Sequence, residues 1–140
     1  VLPSDAQALA RGRYLYASRG CAGCHGEQGE GRRFAAGDGL QLAGPDLTRA
    51  GVTAAYGPAD WVRAVRHGVA PGGRPLRVMP SEDYNRLSDA DLGALVAHLQ
   101  ALPPAGGARA ELQWPLPTRL LYAWAALDDA VDRIDHARPP

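Results

Sequence analysis

The sequence predicts an all-α domain followed by a C-terminal amphipathic helical extension. Three observations carry that prediction. Leu92, Leu95, Val96, Leu99 and Leu102 recur at helical spacing behind the start signal Ser88-Asp89-Ala90-Asp91. Leu120, Trp124, Leu127, Val131 and Ile134 form a second stripe, with Asp129, Asp132 and Arg133 opposite it. No segment alternates in the manner of a convincing strand.

The elements follow in order. Ser4-Asp5-Ala6-Gln7 reads as a capping box with Gln7 at N3, and opens a helix that runs to about Ser18. Leu9, Gly12 and Tyr16 share one of its faces. Gly12 admits the close approach of another helix, at some cost in helix propensity, and Gly20 ends the helix. Residues 26–48 are glycine-rich without a period and read as a loop wrapped around something that orders it. Pro58 suits a first helical position, with a short helix through His67. The prolines and glycines of residues 68–80 exclude a helix there. Pro103-Pro104 ends the next helix, and residues 105–110 read as a linker. These features divide the chain into a domain over 1–104 and a linker with helical extension over 105–140.

Composition narrows the function classes. The 140 residues suffice for one domain with a core, and 46% are hydrophobic, which argues against disorder despite 17 Gly and 12 Pro. Aromatics make up only 6%, so a buried macrocycle would supply missing apolar bulk. Formal charge is zero, and every cation is an Arg, which suits bidentate pairing with carboxylates. No basic run points to nucleic acid. No stretch is long and apolar enough to span a bilayer, and no signal peptide is visible. The first residue is Val1 rather than Met, from which a removed upstream segment, signal peptide or membrane anchor, is expected.

Cys21-Ala22-Gly23-Cys24-His25 carries the chemistry. Two cysteines three apart match the vinyl spacing of a haem, and the adjacent His places an imidazole under the iron. The motif uses both cysteines of the chain. The competing readings are a redox C-x-x-C pair, which usually follows a strand, and half a zinc site, for which His67, His98 and His136 lack the spacing. For a sixth ligand the chain offers Met79, its one methionine, in a Pro-rich loop before Pro80. Met with His is the cytochrome c pair and raises the reduction potential. A core gap-filling role for Met79 and ligation by His67 are the alternatives.

C-A-G-C-H-G, G-P-D-L-T, D-W-V-R-A-V-R-H-G-V, V-M-P-S-E-D-Y and L-S-D-A-D-L-G-A-L-V-A-H-L-Q-A-L-P-P together resemble a class I cytochrome c over residues 5–104. The closer likeness is to bacterial membrane-anchored or multi-haem c-type cytochromes that accept electrons from periplasmic dehydrogenases. The resemblance implies an all-α fold around one covalent haem c, with the first and last core helices crossing. It implies that the Pro45 carbonyl accepts from the His25 ring, a contact that orients the ligand. Trp61 resembles the family aromatic beside the haem, whose indole can donate to a propionate. Arg66 and Arg74 are candidates for propionate pairing, and Tyr84 for closing the Met79 loop. His98 stands where relatives often carry Tyr and is expected to be structural. The ending D-R-I-D-H-A-R-P-P resembles an interdomain linker of multi-haem cytochromes; packing on its own domain and docking of a partner or second copy stay open.

The expected function is one-electron transfer, not catalysis, with His25 and Met79 as iron ligands and Cys21 and Cys24 as attachment points. The alternatives are a haem enzyme or small-ligand sensor with an open sixth site, and one haem domain of a larger redox protein. Expected partners are a dehydrogenase donor and a cytochrome or oxidase acceptor, met through weak, transient contacts. Expected too are a periplasmic location, a monomer, and membrane association only through a removed N-terminal anchor.

Overall fold

In a computed structural model, described over residues 2–124 and 127–140, α1 spans Ala6–Ser18 and opens one residue later than the capping pattern suggests. Asp5, not Ser4, is the N-cap, and its carboxylate accepts from the Ala8 amide at 2.9 Å. A carboxylate at that position also favours the positive helix end. Gly20, at φ 80°, stops α1 as expected. The one-turn helix α2 follows at Cys21–His25.

The glycine-rich region is not a structureless loop, which corrects the purely all-α prediction. β1 (Arg32–Gly37) and β2 (Leu40–Gly44) form an antiparallel hairpin, and β3 (Glu111–Gln113) adds to β2 in the order β1-β2-β3. Asp38 (φ 50°) and Gly39 (φ 81°) make the two-residue turn, both in the left-handed region that such hairpins demand. The register slips between Arg33 and Ala35, so Phe34 is an extra residue.

α3 (Pro58–His67) begins at the predicted proline, and α4 (Asp89–Ala101) at the predicted cap, where Ser88 Oγ accepts from the Asp91 amide at 3.1 Å. A single 3-10 turn at Ser81–Asp83 lies between them. Leu15 and Tyr16 of α1, Trp61 and Val65 of α3 and Leu92, Leu95, Val96 and Leu99 of α4 form the core. Gly12 lets α1 cross α4 at backbone distance: a Cβ there would lie 2.0 Å from the Ala94 carbonyl oxygen.

The second predicted stripe is not one helix. α5 spans Leu116–Ala123 and α6 spans Ala130–Arg133, with Ala125 and Ala126 outside the described residues. Asp129 is extended (φ −74°, ψ 159°), and its carboxylate accepts from the Tyr122 hydroxyl at 2.5 Å. In a continuous helix, positions seven apart would be separated by about 10 Å along the axis. Leu120, Trp124 and Leu127 are therefore exposed, while Ile134 is buried. Residues 105–108 are pinned to the domain. Gly107 N donates to the Asp46 carboxylate, and the Asp46 and Ala108 amides donate to the carbonyls of Ala108 and Glu30.

Candidate functional site

The short helix α2 sets the site. Cys21 and Cys24, three apart on one turn, project from the same side, and both are free thiols. Burial pushes Cys21 up to about 11, the nearby Cys24 adding to it against its own backbone hydrogen bond. Burial raises Cys24 too, with Arg32 pulling the other way. Protonated thiols are poor nucleophiles, whereas a disulfide-exchanging pair depends on a lowered thiol pKa. The redox C-x-x-C reading therefore lacks its electrostatics. Among the described residues, no three His, Cys, Asp or Glu side chains are grouped to hold a metal ion, so the zinc reading lacks its ligands.

His25 Nδ1 lies 2.9 Å from the Pro45 carbonyl oxygen. A carbonyl only accepts, so Nδ1 carries the proton and Nε2 keeps its lone pair. Burial lowers the His25 pKa, the bond to Pro45 offsetting part of this, and the ring is held neutral. A neutral, oriented imidazole is the form that ligates a metal.

Two glycines and two tyrosines hold this arrangement; the sequence places Tyr16 on the α1 face, Tyr84 near the Met79 loop and both glycines within the quoted motifs, but not the contacts they make. A Cβ on Gly44 would lie 2.2 Å from the Cys24 carbonyl oxygen, so only glycine lets β2 press Pro45 against His25. Gly26, at φ 84°, releases the chain from α2, and its carbonyl accepts from the buried Tyr16 hydroxyl at 2.7 Å. That bond ties α1 to the end of α2. The Tyr84 hydroxyl donates to the Arg19 carbonyl at 2.9 Å, at the entry to α2. Burial, then Cys21, pushes the Tyr84 phenol up to about 12, so the segment after Met79 runs beside the thiols. The sequence signal for Gly44 is the Gly-Pro pair it forms with Pro45. The Tyr16 bond leaves no local pattern.

Trp61 belongs to the core cluster, and half-buried Cys21 and Met79 both pack against that cluster. Trp61 is 5% exposed and stacks edge-on with Tyr56 at 5.3 Å, yet its indole N–H has no acceptor among the described residues. Arg66 is buried on the same helix. Its Nη1 donates to Asp89 at 2.8 Å while Nε and Nη2 are without partners among the described residues. Arg74 is exposed and lies near enough to Tyr56 to offset part of the rise that burial gives that phenol. His67 does not approach α2; its Nδ1 lies 2.8 Å from Nδ1 of His136 in the extension. His98 packs against α1, its ring 5.9 Å from that of Tyr16.

Residues 7–99 match the family described as cytochrome C oxidase, cbb3-type, subunit III. The chain is 35% identical over 124 residues to the gluconate 2-dehydrogenase cytochrome c subunit of Pantoea cypripedii, covering 79% of this chain and 27% of that protein. It is 28% identical over 118 residues to the fructose dehydrogenase cytochrome subunit of Gluconobacter japonicus, covering 78% and 24%. To the cbb3-type cytochrome c oxidase subunit CcoP of Helicobacter pylori (strain 52) it is 33% identical over 99 residues, covering 70% and 29%. The chain thus spans about a quarter of the length of these curated relatives. No solved structure matches it.

Proposed function

We propose that this chain, which belongs to the cytochrome c family of cbb3-type oxidase subunit III, binds one haem c covalently through Cys21 and Cys24 and passes single electrons with His25 and Met79 as axial ligands. Electron transfer is the work of its relatives, which are cytochrome subunits rather than catalytic ones, and the chain is an electron-transfer domain of that kind. The haem, when bound, supplies the ferric/ferrous couple.

The observation that carries the reading is the His25–Pro45 hydrogen bond, which leaves Nε2 as a fixed, neutral donor one residue from a half-buried thiol pair. The remaining residues fit the group. The indole N–H of Trp61 and the Nε and Nη2 of Arg66 are buried donors in need of an acceptor, and haem propionates are acceptors. Arg74 can add a second cation from the neighbouring turn. Met79 packs against the same core as Cys21, and thioether ligation in an apolar setting favours the ferrous state. Residues 1–104 then form the haem domain, and 105–140 its extension.

The names of the relatives support a dehydrogenase as electron donor and a cytochrome or oxidase as acceptor. Covalent haem attachment in bacteria takes place outside the cytoplasm, so the proposed location is the periplasm. Among the described residues, no helix is long and apolar enough to cross a membrane. The coverage of a quarter of each relative favours a second reading, in which this is one haem unit of a longer redox protein.

Visible and near-infrared spectra test the assignment. The oxidised protein is expected to show a sulfur-to-iron charge-transfer band, and the reduced protein a sharp low-spin spectrum. Met79→Ala should abolish the band, and Cys21→Ser with Cys24→Ser should release the haem on denaturation. A high-spin spectrum, or stoichiometric carbon monoxide binding by the reduced wild type, would overturn Met79 ligation and favour an open-site enzyme or sensor.

A further inference from the structure

The loop around Met79 is held from two sides. On the inside, the Ser81 hydroxyl, fully buried, donates to the Ala64 carbonyl of α3 at 3.0 Å. On the outside, the chain after β3 runs across the loop and touches it on both flanks of Met79. Two residues before Met79, the Arg77 guanidinium stacks over the Tyr122 ring, 4.8 Å from its centroid. Three residues after it, Glu82 pairs with Arg133 of α6. Tyr122 is itself fixed on two sides. Its hydroxyl donates to the buried Asp129, and Trp114 packs edge-on against its ring at 5.2 Å. At the base of the loop, a Cβ on Gly68 would lie 3.4 Å from the Val131 amide.

We propose that the C-terminal extension is a brace that keeps the Met79 loop closed, with Tyr122 and Arg133 as its positioning residues. The inference rests on Met79 as sixth ligand and adds what keeps it there. The contacts between the loop and the extension lie at the loop's edges and involve no core side chain, so they can open locally. Removing one of them shifts the closed–open balance and leaves the core intact. The brace thereby decides between an electron carrier and an open-site protein on the same haem framework. A stacked cation and an ion pair suit the task because each can be lost without exposing a core.

The test uses the full haem-loaded chain and three variants. In Tyr122→Ala the stacking surface for Arg77 is gone. Arg133→Ala loses the ion pair with half-buried Glu82 and a hydrogen bond to the Asp128 carbonyl, both outside the core, so its result does not depend on how well the Tyr122 variant folds. Arg11→Ala breaks the pair with Asp91 at the α1–α4 crossing and serves as the control. The sulfur-to-iron band is followed as pH rises, and carbon monoxide association is timed on the reduced protein. For Tyr122→Ala the band should vanish at lower pH than in wild type, and carbon monoxide should bind about tenfold faster. Arg133→Ala should move both readouts the same way by less. Tyr122→Phe, which keeps the ring but loses the bond to Asp129, should fall between Tyr122→Ala and wild type, and Arg11→Ala should match wild type. Wild-type band stability and binding rate in both Tyr122→Ala and Arg133→Ala would overturn the brace while leaving Met79 ligation standing. A wild type without the band would remove Met79 from the iron and the brace's role with it.

Discussion

The α1–α4 crossing and the Met79 loop each hold a stretch of chain in a fixed place, by opposite means. At the crossing, Leu15, Tyr16, Leu95 and Leu99 are each at most 4% exposed, and Gly12 removes the last side chain between the two backbones. The loop has no such interior. It is pinned by the Ser81 hydroxyl, by the Tyr84 bond to Arg19, and by the contacts of Arg77 and Glu82 with the extension. Close packing fails as a unit because any added atom disturbs every neighbour. A set of polar contacts can be loosened one at a time, and its opening costs less than global unfolding. Under the proposed ligation by His25 and Met79, the two would serve different ends: a crossing that does not yield, and a ligand loop that can be tuned from outside.

The largest expected effect therefore lies at the crossing. A Cβ on Gly12 would stand 2.0 Å from the Ala94 carbonyl oxygen and 2.7 Å from the His98 Cβ. The helices must part to admit it, and the core cluster that bridges them loosens with them. Gly12→Ala should cost about 3 kcal/mol, read as a lower urea midpoint at unchanged m. Gly23→Ala offers the comparison, because a Cβ at that position meets nothing within 4 Å. Equal midpoints for the two variants would mean that the crossing admits a Cβ as readily as open space does, and the close packing claimed for it would fall.

The crossing was also the most legible part of the chain. Leu92 to Leu102 keep a helical period, and α4 is buried nearly all round, with Ala94 and Ala97 covered as well as Leu92, Leu95, Val96 and Leu99; a capping side chain opens both α1 and α4, Gly20 ends α1 and Pro103-Pro104 end α4. Cys21-Ala22-Gly23-Cys24-His25 is legible for another reason: the attachment chemistry lies in adjacent residues. The hairpin was missed although Asp38-Gly39 is a strong turn signal. The extra residue at Phe34 shifts the alternation out of phase, and the flanking glycines read as loop. The stripe from Leu120 to Ile134 has a helical period that the fold does not use, because Tyr122 and Asp129 come together only if the helix breaks. Contacts of that range, like Arg77 with Tyr122 or Gly44 with Cys24, leave no mark on local pattern. They depend on where two distant segments meet.

A middle-sized effect sharpens the comparison from inside the loop. Ser81 is fully buried, and its hydroxyl joins the loop to the Ala64 carbonyl. Ser81→Ala removes the donor and leaves a methyl group of similar size, so the loss should be about 1 kcal/mol. If the loop opens independently of the core, amide exchange at residues 82–84 should quicken more than at residues 92–99 of α4. Equal acceleration in both would show that loop and crossing unfold together.

The smallest effect concerns the far end of the extension, where His67 meets His136. The His136 Nε2 lies 2.8 Å from the Val131 carbonyl, which only accepts, so Nε2 donates there and Nδ1 is left to accept from Nδ1 of His67. One ring can be protonated without breaking this arrangement; both cannot. Burial, then His136 and Arg66, hold His67 below its ordinary value of 6.5. Because the folded-state pKa is lowered, the unfolded chain binds more protons between the two values, and stability falls as pH falls. The contribution is complete above the ordinary histidine pKa and is lost as pH drops through the lowered folded one. His25 and His98 are lowered by burial as well and slope the same way, so the wild-type profile alone does not isolate this pair. The informative quantity is the difference between wild type and His67→Gln in chemical denaturation from about pH 7.5 to about 5. His67→Gln should show the shallower loss, together with weaker amide protection over residues 131–138 once the intrinsic pH dependence of exchange is divided out. Parallel profiles for the two proteins would show that the extension is held without this pair, by Glu82 with Arg133 and Arg77 with Tyr122.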